Sequence, residues 1–229
     1  MTQPPQSATR AKRFVEYLQQ LAATEDRAAL AILRRGLGRA PGEVAEAYRY
    51  VVPWLPEAPR RGEEEAYFLV AALFAWHPQR WPAETAAGST NLGASLRWLA
   101  ERMQQRTGSE PSSAPSSPAA QASDDKQRQR TADVSSNTAV ERRLIALLRC
   151  HRDELPEHLR HIVGLLRAHE VPVDWARLLR DIHDWERDDR RVQRAWARAY
   201  WSAATPTVGS AAAVSSELPA VAEGARGDA

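Results

Sequence analysis

Between Arg10 and Ala23 the bulky apolar residues Phe14, Tyr17, Leu18 and Leu21 recur three and four positions apart, and the same spacing returns in nearly every apolar segment of the chain. Such spacing gathers side chains on one face of an α-helix but scatters them over both faces of a strand, so it commits the chain to helices packed through apolar stripes. No stretch alternates β-branched with polar residues, no hairpin dipeptide joins two such stretches, and no short internal repeat is present. The fold class expected is all-α.

Local signals divide the chain. Thr24 has the chemistry of an N-cap, with Glu25 and Asp26 in the turn that follows, and Leu30, Leu33 and Leu37 mark an apolar face up to Gly36 and Gly38. A further helix is expected over Glu43 to Val51. Pro53, Pro56 and Pro59 then forbid continuous helix, and Glu63, Glu64 and Glu65 open a very apolar one reaching about His77. Asn91 to Arg106 is amphipathic through Leu92, Leu96, Leu99 and Met103. From Thr107 to Asn137 the residues are mostly Ser, Pro, Ala, Gln and Asp, with one Val and no Leu, Ile, Phe, Tyr or Trp, a composition that cannot bury a core. Helices resume at a capping box, Thr138 with Glu141, and run through Leu144, Ile145, Leu147 and Leu148. Pro156 starts another, Pro172 precedes a third that Asp174 caps, and the last, Asp189 to Trp201, carries Val192, Trp196 and Tyr200. The expected organisation is two small helical bundles joined by a disordered Ser/Pro-rich linker: a disordered N-terminus over 1–9, an N-terminal helical domain over 10–106, the linker over 107–137, a C-terminal helical bundle over 138–202 and a disordered tail over 203–229.

With 43% hydrophobic residues and 8 Trp there is enough apolar surface for a real core. The single cysteine, Cys150, cannot form an internal disulfide and suits a reducing compartment. No segment has the layout of a signal peptide, and the longest apolar run, Ala66 to Trp76, is 11 residues, against the roughly 20 a bilayer-spanning helix needs. A cytoplasmic protein without membrane contact is expected.

The chemical motifs are weak. His183 and Asp184 form the dipeptide that gives the HD-type metal-dependent phosphohydrolases their name, and such an enzyme is the rival reading. A hydrolytic metal needs three or more converging donors, whereas Asp181, His183, Asp184, Glu186, Asp188 and Asp189 alternate with Arg180, Arg187, Arg190 and Arg191 in the manner of a solvated, ion-paired face. His158 and His161 share a helical face without a further ligand pattern. Gly36-Leu37-Gly38 is too short for a phosphate loop and lacks its lysine. Cys150 and His151, adjacent on a helix, point about 100° apart and cannot act as nucleophile and base. Neither an enzyme nor a cofactor nor a bound metal is expected.

Net charge is only +2, but all the basic residues except Lys12 and Lys126 are arginine, the side chain that forks phosphate and stacks on bases. Two windows are basic and free of acids. Arg27 to Gly42 holds Arg27, Arg34, Arg35 and Arg39, the first three on neighbouring helical faces; Arg142 to Arg152 holds Arg142, Arg143, Arg149 and Arg152. Each suits backbone phosphates, with affinity drawn from counterion release rather than from base reading. A purely structural helical module, its arginines merely solvated, is the third reading.

In order along the chain, Arg27–Gly36, Tyr67–Ala75, Asn91–Arg97, Val140–Leu148, Leu155–Arg160, Val173–Asp181 and Trp196–Trp201 resemble the CasB family, the small subunit of the type I-E CRISPR surveillance complex called Cascade. The resemblance spans most of residues 10–202. It implies an all-helical, non-catalytic subunit, present in two copies, that touches the backbone and large subunits around the crRNA and supports target DNA, including the displaced strand of the R-loop. Carried onto this sequence, it points to Arg27, Arg34, Arg35, Arg97, Arg142 and Arg143, and secondarily to Arg39, Arg49 and Arg149, as nucleic-acid contacts. The long Ser- and Pro-rich insert between the halves departs from the family pattern.

Overall fold

In the computed structural model, residues 6–40, 43–60, 62–81, 90–108 and 139–202 are described, with side chains throughout except at 6–8 and 106–108. Of the linker expected over 107–137, Thr107 and Gly108 instead continue the helix that begins at Leu92, and of the disordered N-terminus expected over 1–9, residues 6–9 are helical; 109–137, the Thr138 cap and the tail from 203 lie outside the described residues. The described residues form helices and turns with no strand, in agreement with the class read from the sequence.

The helices, in chain order, are α1 (Gln6–Ala23), α2 (Arg27–Arg35), α3 (Tyr48–Val51), α4 (Glu63–Trp76), α5 (Leu92–Gly108), α6 (139–149), α7 (Leu155–Ala168), α8 (Trp175–His183) and α9 (Arg191–Trp201). Most boundaries follow the local chemistry. Asp174 caps α8 by accepting the N–H of Arg177 at 2.8 Å, and Pro156 sits in the first turn of α7, where its missing N–H costs nothing. The helix expected over Glu43 to Val51 is instead tight 3-10 turns flanking the single turn of α3, because Pro53 ends regular bonding just beyond it.

The cap of α2 is a correction. Asp26, not Thr24, is the N-cap: its carboxylate accepts the N–H of Ala29 at 2.9 Å. The Thr24 hydroxyl reaches back 2.9 Å to the carbonyl of Gln20, closing α1. Only two residues separate the helices before Asp26, and Glu25 turns the chain through a left-handed φ of 53°.

Helix α4 organises the rest. Gly62 enters it with φ 75°, its three glutamates occupy the first turn where the helix dipole favours them, and the apolar residues that follow leave almost no polar face. A helix apolar all round must be covered all round. Helix α2 packs on one side and α8 on another, with α7 adjoining; α1 pairs with α8, and α5 with α9. Helices from both sides of the 109–138 tract therefore build one hydrophobic core, in which Phe14, Leu18, Phe74 and Leu96 meet Leu144, Leu159, Trp175 and Trp196. The halves expected to pack as separate bundles share that core because neither α1 nor α5 finds a full apolar partner among its sequence neighbours.

Polar bonds fasten the same seam. Ser95 donates to the carbonyl of Pro172 at 2.7 Å, Trp175 Nε1 to that of Gln79 at 3.0 Å, and Thr90 to the Asp174 carboxylate at 2.6 Å. His77 Nε2 lies 2.7 Å from the carbonyl of Val171. Burial, opposed by that bond and helped by the nearby Arg167, holds the His77 imidazole below its ordinary value. At Gly93 the backbone of α9 comes so near that a Cβ would run into the Trp196 carbonyl.

Candidate nucleic-acid interface

The nine arginines read from the sequence divide by what they already hold. On α2, Arg27 and Arg35 are exposed and face acids across wide gaps, Glu25 at 3.5 Å and Glu46 at 3.8 Å. Arg39 does the same with Glu43 at 3.7 Å. Ion pairs this wide and this exposed contribute about 0–1 kcal/mol, so a phosphate can replace the acid at little cost. Arg34 differs: its Nε and Nη2 donate to the carbonyl of Ala75 at 3.1 and 3.0 Å. Ala75 lies in the last turn of α4, whose carbonyls lack helical partners, so Arg34 closes that helix and its fork is engaged.

Arg97 is more firmly held. Its Nε lies 2.7 Å from Glu101 one turn on, and its side chain is only 16% exposed. Arg49 stacks over its neighbour Tyr50, 5.6 Å from the ring centroid, and is exposed. On α6 both Arg142 and Arg143 are exposed in the first turns, Arg143 also donating to the carbonyl of Ala139 at 3.2 Å, and Arg149 is exposed at the helix's last residue. Arg152, of the same window, points inward and bridges the carbonyl of Ile182 at 3.2 Å to that of Gly62. The exposed, weakly committed members of the two windows are thus Arg27, Arg35 and Arg39 on one side and Arg143 and Arg149, with exposed Arg142, on the other.

The sequence reading missed a third concentration. Arg60, Arg177, Arg180 and Arg191 line a cleft of about 560 Å³ between α1, the start of α4, α8 and α9. These residues are far apart in sequence and mixed with acids, so no basic window announces them. The only signal was the α8 period of three, Arg177 and Arg180, which sets both on one face.

The acids in this cleft are paired. Asp181, buried, accepts from Arg177 Nε at 2.9 Å and Trp196 Nε1 at 2.6 Å. Burial raises its carboxyl above the ordinary value, with Arg177 and the Trp196 bond pulling the other way. Asp184 is bound by Arg191 and lies 3.4 Å from His183 Nδ1. Burial pushes the Asp184 carboxyl up, but these two partners outweigh it and hold it below its ordinary value. The dipeptide of the phosphohydrolase reading is thereby occupied by an arginine, and among the described residues no three His, Cys, Asp or Glu side chains converge as metal ligands do. Cys150 is buried, its thiol pushed up to about 11 by desolvation, which keeps it protonated and a poor nucleophile. No helix among the described residues is long and apolar enough to cross a membrane.

Fold and surface together define a class: an all-helical module, built on one core, that displays arginine on its surface. A sequence model of the CRISPR-associated protein Cse2 matches residues 29–201. The Cse2 protein of Thermus thermophilus is 32% identical over 195 residues, covering 84% of this chain and 90% of that protein. The crystal structure of CasB from Thermus thermophilus superposes with a TM-score of 0.59 at 30% identity, covering 84% of this chain and 98% of that one. A chain of a CRISPR RNA-guided surveillance complex gives 0.57 at 27% identity, with 85% and 92% covered. The chain belongs to the Cse2 family of CRISPR-associated proteins, whose solved members include CasB.

Proposed function

We propose that the chain is the non-catalytic small subunit of a type I-E CRISPR RNA-guided surveillance complex, acting in the cytoplasm beside the crRNA-bearing backbone and large subunits and a second copy of itself. Its exposed arginines hold nucleic-acid backbone and stabilise target DNA once opened, including the displaced strand. The observation that carries this reading is that Arg27, Arg35 and Arg39 on and after α2 face acids only across gaps of 3.5 to 3.8 Å, leaving their guanidinium groups available to phosphate. Modest backbone contacts suffice for the role, because exchange of a DNA duplex for an RNA–DNA hybrid is nearly balanced in energy.

A salt titration tests it. Replacing Arg27 and Arg35 with Ala, or Arg142 and Arg143 with Ala, should lower the slope of log affinity against log salt by about 1.4 on single-stranded DNA. The loss should be equal on unrelated sequences, since phosphate contacts carry no base information. In the assembled complex guide-RNA loading should survive while opened DNA becomes less stable. If both folded double variants keep the wild-type affinity and slope, the arginines are solvated helix faces and the chain is a structural module.

A further inference from the structure

The cleft between α1, the start of α4, α8 and α9 lies outside both arginine windows, and its volume of about 560 Å³ falls within the range of small-ligand sites, roughly 300–1,000 Å³. Its carboxylates are each satisfied from within the protein. Glu63 accepts the backbone N–H of Arg60 at 3.0 Å, Asp181 is held by Arg177 and Trp196, and Asp184 by Arg191. On the cationic side two arginines remain. The Arg60 guanidinium has no partner among the described residues, and Arg180 engages only through Nε, 3.2 Å from the carbonyl of Ala176 on its own helix, while its charge also reaches Asp181.

Tyr67 adds a neutral donor. Its ring is held 4.9 Å from that of Phe14, and burial, with Glu63 adding to it and Arg10 opposing, pushes its phenol up to about 12. At neutral pH it therefore lines the cleft as a hydroxyl, not as a phenolate that would repel an anion. The lining has donors in surplus and acceptors already taken, and two planar forks from different elements match the oxygens of a phosphoryl group.

We propose that this cleft is a phosphate-binding site in which Arg60 and Arg180 grip the phosphoryl group of a nucleotide, either free or as one unit of a bound strand. The strand source rests on the function proposed above; the free-nucleotide source does not.

Arginine labelling of the full wild-type chain with phenylglyoxal, read residue by residue by mass spectrometry, tests the site without any substitution. The probes are thymidine monophosphate and an oligothymidylate at equal nucleotide concentration, with exposed Arg13 as the reference. Labelling of Arg60 and Arg180 should fall severalfold while that of Arg13 stays constant. Protection by both probes or by the mononucleotide alone assigns the site to any nucleotide phosphate, and protection by the oligomer alone assigns it to a strand. Protection by neither probe overturns the site, as does uniform protection that includes Arg13. If Arg27 and Arg35 are protected and the cleft is not, this site falls and the proposed function stands; the reverse pattern spares the cleft and removes the α2 contacts. Replacing Arg60 and Arg180 with Ala should independently lower the salt slope by about 1.4 if the ligand is a single strand.

Discussion

Gly93→Ala is a one-carbon test of the shared core. An ideal Cβ at Gly93 stands 2.7 Å from the carbonyl carbon of Trp196 and 2.9 Å from its Cα, and nearer still to its oxygen. Carbon atoms in good contact sit about 3.5–4.0 Å apart, so α5 and α9 must separate by about 1 Å. The obstacle is backbone and cannot swing aside, and the movement loosens Trp196, fully buried beside Trp185. Overpacking of this kind costs about 1–3 kcal/mol, and the rigid obstacle places the loss near the top of that range. Alanine returns about 0.5–1 kcal/mol through helix propensity, leaving a net loss of about 2 kcal/mol. In a chain of this size that lowers Tm by about 4–8 °C. Gly164→Ala is the internal comparison: its Cβ meets the far edge of the Trp76 ring at 2.7 Å, a side chain that can tilt, so its loss should be smaller. Thermal unfolding followed by circular dichroism reads both. A Gly93→Ala chain as stable as wild type would refute the close approach of α5 to α9 and, with it, the single core.

Arg34→Ala should cost about 1–2 kcal/mol in thermal unfolding because it strips the carbonyl of Ala75 of two charged donors, whereas Arg35→Ala should stay within about 0.5 kcal/mol. Burial raises the Asp181 carboxyl above its ordinary 3.8, so the folded chain holds that proton more tightly than the unfolded one. The resulting stabilisation is full below 3.8 and is lost as pH rises through the raised value; melts of Asp181→Asn should accordingly show a flatter pH dependence than wild type from about pH 4 upward. Halving the 109–138 tract with a Gly and Ser linker should change stability by about 1 kcal/mol or less, since loop closure grows slowly with length; collapse of the cooperative transition in denaturant would show the tract to be structural.

Helix ends and faces were legible in the sequence wherever a single residue decides them. Asp174 caps α8, Pro156 opens α7, Gly36 closes α2, and the Leu spacing of α5 and α6 faces the core. Thr24 misled because two capping residues stand side by side, and only the path of the chain determines that Asp26 bonds forward while Thr24 bonds back. The site was legible as composition rather than geometry. The arginines on α2 and α6 stand out in the sequence, but nothing local distinguishes Arg35, which faces only Glu46 at 3.8 Å, from equally exposed Arg34, whose partner Ala75 belongs to another helix. The same limit hid the cleft, which Arg60, just before α4, and Arg180, on α8, both line only because α4 packs against α8.

The pairing of α1 with α8 and of α5 with α9 also bears on how the protein is made. Translation delivers α1 and α5 long before their partners, so the nascent N-terminal half waits without the helices, α8 and α9, that complete the cover of the α1 and α5 faces. Contacts this distant in sequence slow folding, and exposed apolar surface during the wait invites aggregation or chaperone capture. A chain that ends before α9 lacks the helix that covers α5, so such a fragment should unfold at lower temperature than the full chain.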